Sequence, residues 1–111
     1  MKQVHCILRC TAADGWYILN DAEHKPLGVS RIVADSEKLT LFYDFTGKAI
    51  HSFHVDPDET YIKTPLKFGP SVGLSYAYIY IGKDGSAAWQ NPLNYADHPA
   101  GSNLWVSGFF S

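Results

Sequence analysis

The chain has 111 residues and a formal charge of −2; 46% of it is hydrophobic, 14% aromatic and 18% charged. A chain this apolar and weakly charged collapses, which excludes disorder, and its length suits one domain over residues 1–111. No apolar run reaches the roughly 18 residues of a membrane span, and no basic surplus marks a nucleic-acid binder.

The first ten residues alternate: Val4, Cys6, Leu8 and Cys10 on one side, Gln3, His5, Ile7 and Arg9 on the other. That pattern predicts a strand. His5 and Arg9 interrupt the apolar stretch, so it does not read as a secretory leader, and cytoplasmic synthesis is expected. On such a strand Cys6 and Cys10 share a face but lie about 13 Å apart, beyond disulfide reach. They are expected to pack as free, buried thiols.

Ala13-Asp14-Gly15 turns the chain into a second strand at Trp16–Leu19, and Val29–Ala34 makes a third. Asp35–Lys38 is the one plausible helical turn. In the next strand Leu39, Leu41, Tyr43 and Phe45 line one face, with Thr40 and Asp44 opposite. Ala49–Val55 follows as a fifth strand. Tyr61–Phe68 reads as a sixth, which Pro65 assigns to an edge or bulge. Gly69-Pro70-Ser71-Val72-Gly73 matches the G-x-S-x-G nucleophile pattern in letters only. That elbow needs a helix behind it, whereas a strand follows here, so the segment is expected to connect strands. Leu74–Ile81 is the strongest strand, and Lys83-Asp84-Gly85 turns it into a short one at Ser86–Gln90. After the long loop 91–102, Asn103–Phe110 closes the chain. About eight or nine short strands with close turns predict an all-β, antiparallel sandwich or barrel.

Chemistry for an enzyme is not legible. His51 and His54 fall on opposite faces of a strand and cannot readily share an ion. Asp56-Pro57-Asp58-Glu59 lacks the calcium-loop pattern, and no phosphate-binding glycine loop occurs. No metal site, cofactor or catalytic residue is assigned, and the expectation is a non-enzymatic protein.

Binding is better supported. Beyond the Lys83-Asp84-Gly85 turn, Asp97 is the only formally charged side chain, while aromatics and neutral amides alternate. Flat rings beside amides and hydroxyls suit a neutral polar ligand such as a glycan. The candidate ligand residues are Trp89, Asn91, Asn94, Tyr95, Asp97 and Trp105: rings for stacking, amides and a carboxylate for hydroxyls. Tyr76, Tyr78 and Tyr80 form a stripe opposite Ala77, Ile79 and Ile81. With Phe109, these tyrosines are the candidate interface with a protein partner or a second copy. The alternatives to a glycan-binding module are an oligomeric structural subunit, as of a virion or phage tail, and a small protein inhibitor.

Overall fold

A computed structural model describes residues 1–57, 66–83, 88–94 and 102–111. Among them there are eight strands and no helix: β1 (Lys2–Thr11), β2 (Gly15–Ile18), β3 (Val29–Ala34), β4 (Leu39–Tyr43), β5 (Ile50–Pro57), β6 (Leu66–Val72), β7 (Tyr76–Lys83) and β8 (Ser102–Phe110). They form two four-stranded sheets, ordered β2-β1-β8-β5 and β3-β4-β7-β6. Every pairing is antiparallel. No helix among the described residues is long and apolar enough to cross a membrane.

Period-two alternation places one side of each central strand in a shared core. The first sheet contributes Val4, Cys6, Leu8 and Cys10 from β1 and Leu104, Val106 and Phe110 from β8. The second contributes Leu39, Leu41 and Tyr43 from β4 and Ala77, Ile79 and Ile81 from β7. Leu8, Leu39, Ile79 and Phe110 are fully buried. Ile7 points the other way but is buried too, because residues 19–27 run alongside β1. The Leu19 amide donates to the Ile7 carbonyl at 2.8 Å, and His5 and Leu27 exchange backbone bonds at 2.9 and 2.8 Å. This segment satisfies the half of β1 that the short β2 leaves unpaired.

Two local expectations are corrected, and two others fall partly outside the described residues. Asp35–Lys38 is the tip of the β3–β4 hairpin, not a helical turn. The Asp35 carboxylate accepts the Glu37 and Lys38 amides at 2.7 and 3.0 Å, which stabilises a turn in preference to a helix. Gly69–Val72 belongs to β6 itself, and only Gly73 lies in the turn; the strand tolerates Pro70 because β6 is an edge. Of the predicted strand Tyr61–Phe68, Leu66–Phe68 belong to β6, and Tyr61–Pro65 lie outside the described residues. Of the short strand at 86–90, the described part makes one isolated bridge, Trp89 to Gly82. A register shift between Ile50 and Ser52 interrupts β5, and both His51 and His54 are exposed.

Burial pushes the Cys6 thiol up to about 12 and the Cys10 thiol up to about 11. Groups raised in the folded state leave stability intact below their unfolded value near ~8.5 and remove it as pH rises towards the folded value. Each thiol is expected to cost up to about 1.4 kcal/mol per pH unit in that window. Urea midpoints measured between neutral and alkaline pH should fall above it, and Cys6→Ala should flatten the slope. An unchanged slope in Cys6→Ala would contradict the assignment.

The Tyr43 hydroxyl is buried without a partner among the described residues, and burial holds its pKa far above the usual phenol range. Its ring packs between Phe45 and Phe110, at centroid distances of 5.3 and 5.0 Å. Tyr43→Phe keeps that packing and removes an unsatisfied group. Thermal melts should show it neutral or up to about 1 kcal/mol more stable; a clear loss would reveal a partner for the hydroxyl.

Candidate functional site

The second sheet carries two groups of aromatic rings on its outer face, a ladder with one break. Alternation along β7 turns Ala77, Ile79 and Ile81 into the core and leaves Tyr76, Tyr78 and Tyr80 outside. Register extends the row sideways: Phe42 of β4 pairs with Tyr76, and Thr40 with Tyr78. In the first group Phe42 meets Tyr76 at 6.3 Å and Tyr76 meets Tyr78 at 4.9 Å. At the far end Tyr80 meets Trp89 at 5.6 Å.

Trp89 reaches this face because Gly69, opposite Tyr80 on β6, has no side chain. A Cβ there would stand 2.8 Å from the Trp89 ring. The indole lies in that gap and remains 47% exposed.

Cationic groups lie over two of the rings. The Arg31 guanidinium lies 4.4 Å from the Phe42 centroid and the Lys38 ammonium 5.0 Å from that of Tyr78, both suited to cation–π attraction. Lys38 also meets Asp35 at 3.5 Å and Glu37 at 3.9 Å. Desolvation pulls the Lys38 pKa down, but the charge and hydrogen bond of Asp35, with Glu37, outweigh it and raise the pKa. Asp35 is held below the usual carboxylate range by the Glu37 and Lys38 amides. The Tyr78 hydroxyl is raised by its hydrogen bond with Tyr76.

Two concavities lie along the ladder, on either side of the hairpin tip. One, of about 310 Å³, is lined by Asp35, Lys38, Thr40, Phe42, Tyr76 and Tyr78. The other, of about 230 Å³, is lined by Ser36, Glu37, Tyr80, Trp89 and Gln90. The Gln90 side-chain oxygen is buried with no partner among the described residues. Leaving an acceptor unpaired costs about 1–3 kcal/mol.

A second recess lies on the outer face of the first sheet. It holds about 520 Å³ between Trp105 and residues 19–26, with His5, Ile7, Leu19, Glu23, His24 and Lys25 in its walls. The His24 ring meets Trp105 edge-on at 6.2 Å, and its Nδ1 lies 3.0 Å from the Asp21 carboxylate. Desolvation pushes the Asp21 carboxyl up, but hydrogen bonds from the Glu23 and His24 amides and the His24 ring hold it low. This recess is larger than either concavity on the ladder, but Trp105 is its only large aromatic ring and His24 already occupies the edge of that ring. No group of three or more His, Cys, Asp or Glu among the described residues is placed to hold a metal ion.

The predicted ligand residues do not form one site. Trp89 lies on the outer face of the second sheet and Trp105 on that of the first, with the core between them. Asn91 is used locally: its side-chain oxygen accepts the Leu93 amide at 2.9 Å, and its carbonyl accepts the Asn94 amide at 3.0 Å. Pro92 between them is buried and accepts the Trp16 indole N–H at 3.1 Å, which anchors the start of the loop. Asn94 is exposed; Tyr95 and Asp97 lie outside the described residues. The proposed interface also divides, because the three tyrosines sit on the second sheet while Phe109 is on the first, between Gln3 and Ser52. The tyrosines instead adjoin Trp89.

Sequence reading missed Phe42 and the charged hairpin tip as neighbours of the tyrosine stripe. The parity of Phe42, on the Thr40 side of β4, was the available signal. The pairing of β4 with β7 was not.

No protein-family model matches the chain, and no curated protein or solved structure matches it significantly.

Proposed function

We propose that this protein is a non-enzymatic recognition module whose second sheet takes a neutral polar ligand, of which a glycan is the best fit. The observation that carries the reading is the set of rings on one sheet face, Phe42, Tyr76 and Tyr78 in one group and Tyr80 and Trp89 in another, bordered by hydrogen-bonding side chains. A sugar offers apolar C–H faces to the rings no cation covers, Tyr76, Tyr80 and Trp89, and hydroxyls to the rim. The rim charges balance, Arg31 and Lys38 against Asp35 and Glu37, which favours a neutral ligand over an ionic one. Covering half of an indole face, roughly 100 Å², supplies about 2.5 kcal/mol. The supporting scaffold is read as a β-sandwich, its two sheets sharing one core.

A rival reading draws on the same face. Val33 and Tyr76 are exposed beside the ladder, as on surfaces that subunits cover. An oligomeric structural subunit would bury them against a second copy.

An array of neutral glycans tests the first reading. Binding of a defined glycan by the protein, weakened in Trp89→Ala, supports it. An array with no bound glycan rejects it, and light scattering showing a stable oligomer at low concentration would then favour the subunit.

A further inference from the structure

We infer that the ligand of the aromatic face is an extended neutral saccharide chain, bound along the ladder across both concavities, not a single terminal sugar. The inference rests on the glycan reading and specifies how much of the face the ligand covers.

The ladder is long. Tyr76 to Tyr80 alone spans about 13 Å of β7, and Phe42 and Trp89 extend it at the two ends. A pyranose is comparable in size to one tyrosine ring, so one sugar covers one step of the row and leaves the others bare. Neither concavity offers the single deep pocket that a terminal residue would fill; the volume is divided, about 310 Å³ at one end and about 230 Å³ at the other.

The β3–β4 hairpin tip stands between the two. Asp35 and Lys38 line the first concavity, Ser36 and Glu37 the second. Lys38 lies over Tyr78 and is tethered to Asp35 and Glu37, so charged side chains separate the two recesses, Tyr78 lining one and Tyr80 the other. A chain crossing that point meets donors and acceptors of both signs, which hydroxyls satisfy in either role. At the Trp89 end, Gln90 lines the second concavity beside the indole. An apolar peptide would leave this polar saddle unpaired, and a polyanion would face Asp35 and Glu37.

Calorimetric titration with cello-, malto- and chito-oligosaccharides of increasing length tests the inference. In the series that binds, the hexasaccharide is expected to bind at least about tenfold more tightly than the disaccharide. Trp89 is the largest exposed ring and is expected to hold the disaccharide. Phe42→Ala, at the opposite end, should therefore remove most of the gain with length. Unchanged circular dichroism and melting temperature would show that Phe42→Ala remains folded. Equal affinity for disaccharide and hexasaccharide overturns the inference and leaves the glycan reading standing. Binding of no oligosaccharide in any series overturns both.

Discussion

Alanine at Gly28 is expected to cost about 3 kcal/mol or more, one of the largest effects of any single methyl in this protein. Gly28 has φ near 73°, in the left-handed region where a side chain is strained. An added Cβ would also overlap the Gln3 carbonyl oxygen and crowd the Phe45 ring. The position admits no easy relaxation, because Leu27 is bonded to His5 on one side and the Gly28 carbonyl accepts the Asp44 amide at 3.0 Å on the other. Gly28 is thus where the chain, having completed the first sheet's edge, enters the second sheet. Thermal unfolding of Gly28→Ala should fall by more than about 10 °C, given roughly 4–8 °C per kcal/mol at this size. Gly47→Ala serves as the comparison, since its Cβ would meet Phe110 at 3.3 Å without a positive φ. Equal shifts in the two variants would contradict the argument.

Phe110→Ala is expected to cost about 3–5 kcal/mol, although it lies one residue from the chain's end. Its ring is fully buried and meets Tyr43, Phe45 and Phe53 at 5.0, 5.4 and 6.4 Å. Both sheets supply this cluster, β8 and β5 from the first and β4 with its following residues from the second. The backbone around it is held as well: the Ser111 amide donates to Ala49 at 3.0 Å, and the Ser111 carbonyl accepts the Lys48 amide at 2.6 Å. The neighbouring Phe109 points outward and is 40% exposed. Phe109→Ala should cost less than about 1 kcal/mol in urea unfolding. Similar losses for the two phenylalanines would show that the C-terminal strand is not packed as described.

The strands were largely legible because period-two alternation is a local property. Val4 to Cys10 and the Ala77, Ile79, Ile81 series could be assigned to faces without knowing what they faced. Turns that depend on side-chain capture were less legible: Asp35 bonding two amides closes a hairpin, yet the same letters suit a helical turn. The site was legible in kind but not in place. Trp89 and Trp105 are close in sequence and share neutral, amide-rich surroundings, which suggested one ligand platform. The chain crosses between sheets after β7, so the two indoles finish on opposite sides of the core. Conversely, Phe42 and Tyr76 are far apart in sequence but adjacent in space. The pairing of β4 with β7 that joins them is a long-range choice which alternation does not encode.

The central claim is that ligand binds on the face of the second sheet that carries Trp89. It is tested most directly by following the indole N–H resonances while titrating a neutral oligosaccharide into isotopically labelled protein. The Trp89 resonance should move to saturation in step with the calorimetric affinity, while that of Trp105 stays in place. Movement of Trp105 with Trp89 unchanged would place the ligand in the recess of the first sheet and contradict the account.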